Sequence, residues 1–148
     1  MDRFKEFTSS ITKINRAIFQ IKSNEMKQYD LNSTSVACIY YLSNDNNLTS
    51  KDLVNLCCED KASISRSLKK LEENKYITFL GESDKKKYNT VIRLTNKGEK
   101  IASNIIERIN AIFDECGKVI SDENRVIFYD SLIKIAEKLE DYRLHEEK

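Results

Sequence analysis

The fold is decided by residues 49–73, which read TSKDLVNLCCEDKASISRSLKKLEE. Thr49, with Asp52 three positions later, has the spacing of a capping box, so a short helix is predicted to begin here and to end near Cys57. A second helix follows, with Asp60 as its N-cap. Its apolar residues recur at positions i, i+4 and i+7, and they are Ile64, Leu68 and Leu71. Two helices joined by a turn of a few residues predict a helix-turn-helix.

The outward face of this second helix carries small hydroxyls and long cations. Its candidate DNA-contacting residues are Lys61, Ser63, Ser65, Arg66, Lys69 and Lys70. Short side chains let a helix approach the floor of the major groove, and arginine and lysine reach guanine edges or phosphates. A plain amphipathic helix shows the same periodicity, so the case for DNA depends on the segment that follows.

The period of the apolar residues changes from 3.6 to 2 after Lys75. Residues 76–80 (YITFL) and 88–94 (YNTVIRL) are predicted to form the two strands of a β-hairpin. Between them lie Gly81, suited to a turn, and four candidate wing residues, Asp84, Lys85, Lys86 and Lys87. A cationic hairpin directly after a helix-turn-helix makes a winged helix, whose wing contacts the DNA backbone or the minor groove. The alternative is a solvated hairpin whose lysines keep its edge soluble.

Helices are also predicted on both sides of this winged segment. Residues 3–26 place apolar side chains every three or four positions, and residues 36–42 are apolar enough for a shorter helix. Further helix boundaries are marked by cap or stop residues, and these are Asn32 or Ser33, Thr95, Gly117 and Ser121. The predicted fold class is therefore mainly α, with about six helices and a small β-hairpin wing.

The long helices at the two ends of the chain have apolar stripes that little else in the sequence covers. Such stripes are most simply buried against a second copy of the chain. We expect one unit in which residues 1–30 and 96–148 form dimerisation helices and residues 31–95 form a DNA-binding lobe. A two-fold homodimer presents two recognition helices about 34 Å apart, which suits a pseudo-palindromic operator in double-stranded DNA.

The distribution of charge supports this interpretation better than its sum does. The 148 residues carry a net charge of +1, but residues 61–100 hold 11 basic and 5 acidic side chains. Residues 1–60 hold 7 and 8, and residues 101–148 hold 7 and 11. One basic segment on a neutral or acidic scaffold is expected of a phosphate-contacting surface, although a merely solvated lysine-rich surface has the same composition.

Several other classes of protein are disfavoured by composition. The chain has no proline, three glycines and no apolar run near the roughly 18 residues that cross a bilayer, so we expect a mostly helical protein without a membrane span. The start lacks the features of a signal peptide, which predicts a cytoplasmic location. The one histidine, His145, lies near the end, and the four cysteines lack zinc-ribbon spacing. No catalytic residue, metal site or cofactor is predicted, and an enzyme is disfavoured.

Three segments give the chain a resemblance to the MarR family of bacterial regulators. They are residues 51–77, the wing sequence DKKKY at 84–88 and the sequence LTNKG at 94–98. The resemblance implies a recognition helix at 61–74, with Ser63, Ser65, Arg66 and Lys69 nearest the DNA. It also aligns Asp84 and Lys86 with the family's Asp-x-Arg wing signature, and the lysine retains a phosphate contact. The implied function is repression, less often activation, of nearby genes, ended when a small ligand or an oxidant acts.

Two cysteines next to the recognition helix leave a thiol-based signal open. Cys57 and Cys58 lie near Lys61 and a helix N-terminus, which can lower a thiol pKa. The plainer interpretation is that Cys57 fills a core position and Cys58 a turn, where the family often has glycine. Glu59 stands where the family often has an apolar residue. Peroxide sensors of the family resemble one another in a cysteine near the start of helix one, and the first cysteine here is Cys38.

A small aromatic effector is the family's commoner signal. Tyr40, Tyr41 and Tyr88 are candidate pocket residues, and the alternative is that they are core and interface residues. A winged helix that binds protein without binding DNA is the other alternative, because a fold does not dictate its partner. Salt dependence separates the two, since phosphate contacts make DNA affinity fall steeply with salt.

Overall fold

The computed structural model describes residues 2–81 and 89–146. These residues contain six α-helices and one antiparallel two-stranded sheet. The elements are α1 (Arg3–Met26), α2 (Ser33–Asn44), α3 (Ser50–Cys57), α4 (Lys61–Glu73), β1 (Ile77–Leu80), β2 (Val91–Leu94), α5 (Asn96–Gly117) and α6 (Asp122–Glu146). A 3-10 turn at Lys27–Tyr29 joins α1 to α2. The predicted mainly α, winged helix-turn-helix fold is confirmed.

The helix starts follow from local capping, as predicted. Three side-chain oxygens accept first-turn N–H bonds: Asn32 from Ser35 (2.8 Å), Asp60 from Ser63 (2.7 Å) and Thr95 from Gly98 (3.1 Å). Thr49 and Asp52 form the predicted capping box, in which the Thr49 N–H donates to the Asp52 carboxylate at 2.8 Å. The Thr49 hydroxyl and then its N–H lower the pKa of the Asp52 carboxyl, because both donate to the charged form.

The hydrophobic core lies among α2, α3, α4, the hairpin and the first half of α5. Its largest fully buried side chains include Met26, Ile39, Leu42, Leu53, Ile64, Leu71 and Ile92. The stripe predicted on α4 is buried, with Leu68 only 2% exposed. Burying an aliphatic side chain of this size stabilises a fold by about 1.5–3 kcal/mol, so this stripe orients α4 with its polar face outward.

The hairpin is joined to the start of α3 as well as to itself. Ile77 pairs with Leu94 and Leu80 with Val91. Thr49 forms an isolated bridge with Val91, and the N–H next to it along β2 donates to the Leu48 carbonyl at 2.8 Å. In the described residues β2 begins at Val91, whereas the alternation predicted a strand from residue 88. The root of the wing is therefore fixed to the helix-turn-helix.

Residues Met1–Ile109 and Asn110–Lys148 form two compact units. In the second unit, α5 ends at Gly117 and α6 follows after Ser121, as predicted. None of the glycines in the described part of the chain has a positive φ, so Gly117 ends α5 without the left-handed conformation that is common at glycine helix ends. Instead, the Arg125 guanidinium donates to the Gly117 carbonyl at 3.2 Å. No helix within the described ranges is both long and apolar enough to span a membrane.

Candidate nucleic-acid interface

The turn between α3 and α4 is short and tightly bonded. Cys58 ends α3 in the left-handed conformation, with φ 52° and ψ 40°, and its N–H donates to the Asn55 carbonyl at 3.3 Å. Glu59 accepts a hydrogen bond from the hydroxyl of buried Thr34 on α2 at 3.4 Å. The two departures from the family pattern are thus accommodated: Cys58 takes a conformation that glycine adopts more easily, and Glu59 finds a polar partner.

The polar face of α4 is exposed to solvent over most of its length. Lys61, Ser65, Arg66 and Lys69 are exposed, whereas Ser63 and Lys70 are half-buried. No acidic residue occurs between Asp60 and Glu72. This stretch therefore presents positive charge over the first three turns of the helix, with side chains short enough at Ser65 for close approach.

The cations on this face differ in how far they are engaged within the chain. Arg66 takes part in no ion pair among the described residues. Lys69 lies 3.9 Å from Glu73, one turn along the helix, with both side chains more than half exposed. Such surface pairs contribute about 0–1 kcal/mol, so Lys69 is readily released to another anion. Lys70 is paired with Asp30 at 3.0 Å.

The predicted wing residues Asp84, Lys85, Lys86 and Lys87 lie outside the described residues, and so does Tyr88. The other two candidate pocket tyrosines are described. Tyr40 is 45% exposed and Tyr41 packs against the core, with ring centroids 5.4 Å apart in an edge-to-face arrangement. A groove of about 400 Å³ lies beside the recognition helix, between α3, α4 and β1, and its apolar lining includes Val54, Leu68 and Phe79.

The positions of Cys57 and Cys58 agree with the plainer interpretation, in which one fills a core position and the other a turn. Cys57 is half-buried against the core, and Cys58 is exposed in the turn. A contact that the sequence did not predict joins Cys57 to buried Cys38 of α2. The Cys38 thiol donates to Cys57 and so lowers the pKa of Cys57, while the same bond and burial raise the pKa of Cys38. The residues are 19 positions apart, and their periodicity gave no signal of this contact.

Comparison with known proteins agrees with this geometry. The sequence profile of a family described as a winged helix DNA-binding domain matches residues 35–113. Over 100 residues the chain is 31% identical to the HTH-type transcriptional regulator SarZ of Staphylococcus aureus, a match that covers 68% of this chain and 67% of SarZ.

Solved structures share the fold over nearly the whole chain. A MarR family transcriptional regulator from Listeria monocytogenes, complexed with 26mer DNA, matches with a TM-score of 0.83 at 23% identity, over 95% of this chain and 93% of that one. Staphylococcus aureus MarR in complex with salicylate and kanamycin matches with a TM-score of 0.80 at 18% identity, over 93% and 92%.

A winged helix-turn-helix whose second helix presents a cationic face over its first three turns defines a DNA-binding transcriptional regulator. The chain belongs to the MarR family of these regulators.

Proposed function

We propose that this regulator is a cytoplasmic homodimer that binds a pseudo-palindromic operator through α4 and represses transcription until a small aromatic ligand releases it. The observation that carries sequence-specific binding is the exposed, ion-pair-free Arg66 beside Ser65, on a stretch without acids. The short Ser65 side chain lets α4 approach a base edge closely, and the Arg66 guanidinium can donate hydrogen bonds to that edge.

The residues of the interface have different roles in this proposal. Arg66 reads a guanine edge, because its planar fork can donate two parallel hydrogen bonds. Lys61 and Lys69 contact phosphates, which positions the helix without specifying sequence. Ser63 and Ser65 permit close approach, and Lys70 is placed at the margin by its pair with Asp30. The proposed interface also includes the wing residues Asp84, Lys85, Lys86 and Lys87. The three lysines contact the DNA backbone.

Support for the homodimer comes from apolar residues on α1 and, separately, on α6. On α1 the exposed ones are Phe4, Phe7, Ile11, Ile14 and Phe19. On α6 they include Val126, Ile127, Phe128, Ile133, Ile135, Leu139, Tyr142 and Leu144. Uncovered apolar surface on this scale is typical of protein interfaces. We assign residues 1–30 and 96–148 to dimerisation and residues 31–95 to DNA binding.

The decisive experiment is selection of preferred duplexes from a random pool, with the chain and with Arg66→Ala. Loss of sequence preference in the variant identifies Arg66 as a base reader, whereas uniformly weaker binding identifies it as a phosphate anchor. The affinity of the selected duplex should fall with salt at a log-log slope near −0.9 for each phosphate contact. A chain that binds no duplex at low salt would instead act through protein partners.

The effector is tested by titrating the complex with salicylate, which is present in the Staphylococcus aureus MarR structure. Tyr40 and Tyr41 are the described candidates for an aromatic contact, with Tyr88 as a third. The ligand is supported if salicylate weakens DNA binding by the wild-type chain and no longer does so in Tyr40→Ala or Tyr41→Ala. A wild-type DNA affinity that salicylate leaves unchanged would count against it. Thiol control through Cys57 and Cys58 is the second candidate, favoured by the lowered pKa of Cys57.

A further inference from the structure

One side-chain oxygen connects the start of α2 to the middle of the recognition helix. Asn32 Oδ1 accepts the Ser35 N–H at 2.8 Å, the Ser35 hydroxyl at 2.9 Å and the Ser67 hydroxyl at 3.3 Å. Ser35 is 0% exposed and Ser67 is 1% exposed. Ser67 directly follows Arg66 on α4. The bond from Asn32 to Ser67 therefore lies on the buried face of α4, next in sequence to the exposed arginine that is proposed to read the DNA.

The other contacts that hold α4 against the lobe are mainly apolar. Apolar burial is non-directional, so the buried stripe sets which face of α4 points inward but only loosely sets its rotation and depth. A hydrogen bond depends on angle and distance, and it therefore selects one rotation. Recognition constellations must be held to within about 0.5 Å, which is finer than apolar packing alone provides.

The segment that contains Asn32 makes two further polar contacts with the helix-turn-helix. Asp30 pairs with Lys70 of α4 at 3.0 Å, and Thr34 donates to Glu59 in the turn at 3.4 Å. The Asp30 side chain is 91% exposed, so its ion pair is weakened by solvent. The bond to Ser67 ends on a residue that is 1% exposed, although Asn32 itself is exposed, so this bond is partly shielded from solvent.

We propose that Asn32 is a positioning residue for the recognition helix, which acts through Ser67 and sets the preference for the operator over other duplexes. The proposal rests on the proposed function, because it requires α4 to read the operator. It predicts that breaking the bond lowers specific affinity, while affinity for unrelated DNA, which depends on phosphate contacts, is unchanged.

The test uses variants that separate this bond from the α2 cap. Ser67→Ala removes the bond and leaves the cap intact, and Asn32→Ser keeps a capping hydroxyl that is too short to reach both helices. Each should weaken binding to the selected operator by about threefold to tenfold, the usual net effect of one hydrogen bond, with binding to a scrambled duplex unchanged. Asn32→Asp keeps the acceptor oxygens and should retain the wild-type ratio of the two affinities.

The matched control is Ser43→Ala, which removes a 2.7 Å bond from Ser43 to the Tyr40 carbonyl within α2 and should leave both affinities unchanged. The double variant Asn32→Ser with Ser67→Ala should bind no more weakly than either single variant, because both break the same bond. An unchanged affinity ratio in both single variants, or equal losses in Asn32→Asp and Asn32→Ser, would overturn the proposal. A wild-type chain that prefers no duplex would overturn the proposed function instead.

Discussion

Cys58 is one of three described non-glycine residues in the left-handed conformation, together with Asp30 and Lys75. Its φ of 52° lies in the left-handed region, which disfavours residues with a Cβ by about 1–2 kcal/mol. Cys58 lies in the turn that leads into the recognition helix, and neither Cys57 nor Glu59 beside it has a positive φ. The turn is therefore a place where stability can be gained without altering the DNA-facing side chains.

Cys58→Gly should stabilise the protein by about 0.5–1 kcal/mol, the relieved strain less the greater entropy of glycine in the unfolded chain. Urea unfolding measures the change. Cys58→Ala is the control, because it also removes the thiol but keeps the Cβ. If the glycine variant were no more stable than the alanine variant, the left-handed conformation would not be the cause.

Cys57 should become reactive at a lower pH than an ordinary thiol. The Cys38 thiol stabilises the Cys57 thiolate by donating to it, and the thiolate is the form that iodoacetamide alkylates. Alkylation of Cys57 should therefore persist as the pH falls through the range where an ordinary thiol is protonated. Mass spectrometry of peptides alkylated across a pH series gives the midpoint.

Cys38→Ala should raise that midpoint, because the variant removes the hydrogen bond that lowers the pKa of Cys57. Burial, which raises that pKa, is then no longer offset by the bond. The matched variant Cys116→Ala changes an exposed cysteine elsewhere and should leave the midpoint unchanged. An unaltered midpoint in Cys38→Ala would show that the contact between the two thiols does not govern the reactivity of Cys57.

At the scale of elements, α5 begins in close contact with the turn between α4 and β1. The Thr95 hydroxyl donates to the Lys75 carbonyl at 2.7 Å, and the Thr95 N–H donates to the Tyr76 carbonyl at 3.0 Å. Lys97 reaches the Asn74 carbonyl at 2.9 Å. Gly98 completes the contact, because a Cβ there would lie 2.0 Å from the Tyr76 carbonyl oxygen.

Gly98→Ala should consequently destabilise the protein by about 1–3 kcal/mol, although alanine is ordinarily favoured over glycine in a helix by about 1 kcal/mol. Gly117→Ala is the matched substitution at the other end of α5. Its added Cβ would meet a flexible Arg125 guanidinium at 3.4 Å, so its effect should be near zero or stabilising. Urea midpoints of the two variants decide the point, and equal midpoints would contradict the role of the close approach.

The boundaries of the elements were predictable because they depend on neighbouring residues. Thr49, Asp60 and Thr95 cap helices through atoms a few positions away, so their roles can be read from the sequence. The bond from Asn32 to Ser67 spans 35 positions and depends on how α2 packs on α4. The close approach at Gly98 likewise requires the folded turn, and neither contact has a sequence signature. The exposure of the polar face of α4 was therefore predictable from its periodicity, whereas the contacts that support the helix were not.

At the scale of the whole molecule, the exposed apolar residues of α1 predict self-association. Phe4→Glu should convert the dimer to a monomer, because Phe4 is 77% exposed in the single chain and a charge there is costly only once a partner covers it. Gln20→Glu is the control, since it adds the same charge at an exposed polar position of α1. Sedimentation equilibrium measures the state, and a Phe4 variant that remains dimeric would exclude that position from the interface.

The joint between Val91 of the hairpin and Thr49 at the head of α3 limits how this regulator can acquire new targets. Because β2 is bonded to the residue that caps α3, the root of the hairpin cannot shift without disturbing the start of the helix-turn-helix. We therefore expect new operator preferences to arise from exchanges of individual side chains along α4, with the root of the hairpin kept in place. Paralogues that diverge in this way would cover the same number of base pairs on DNA and differ in the bases they recognise.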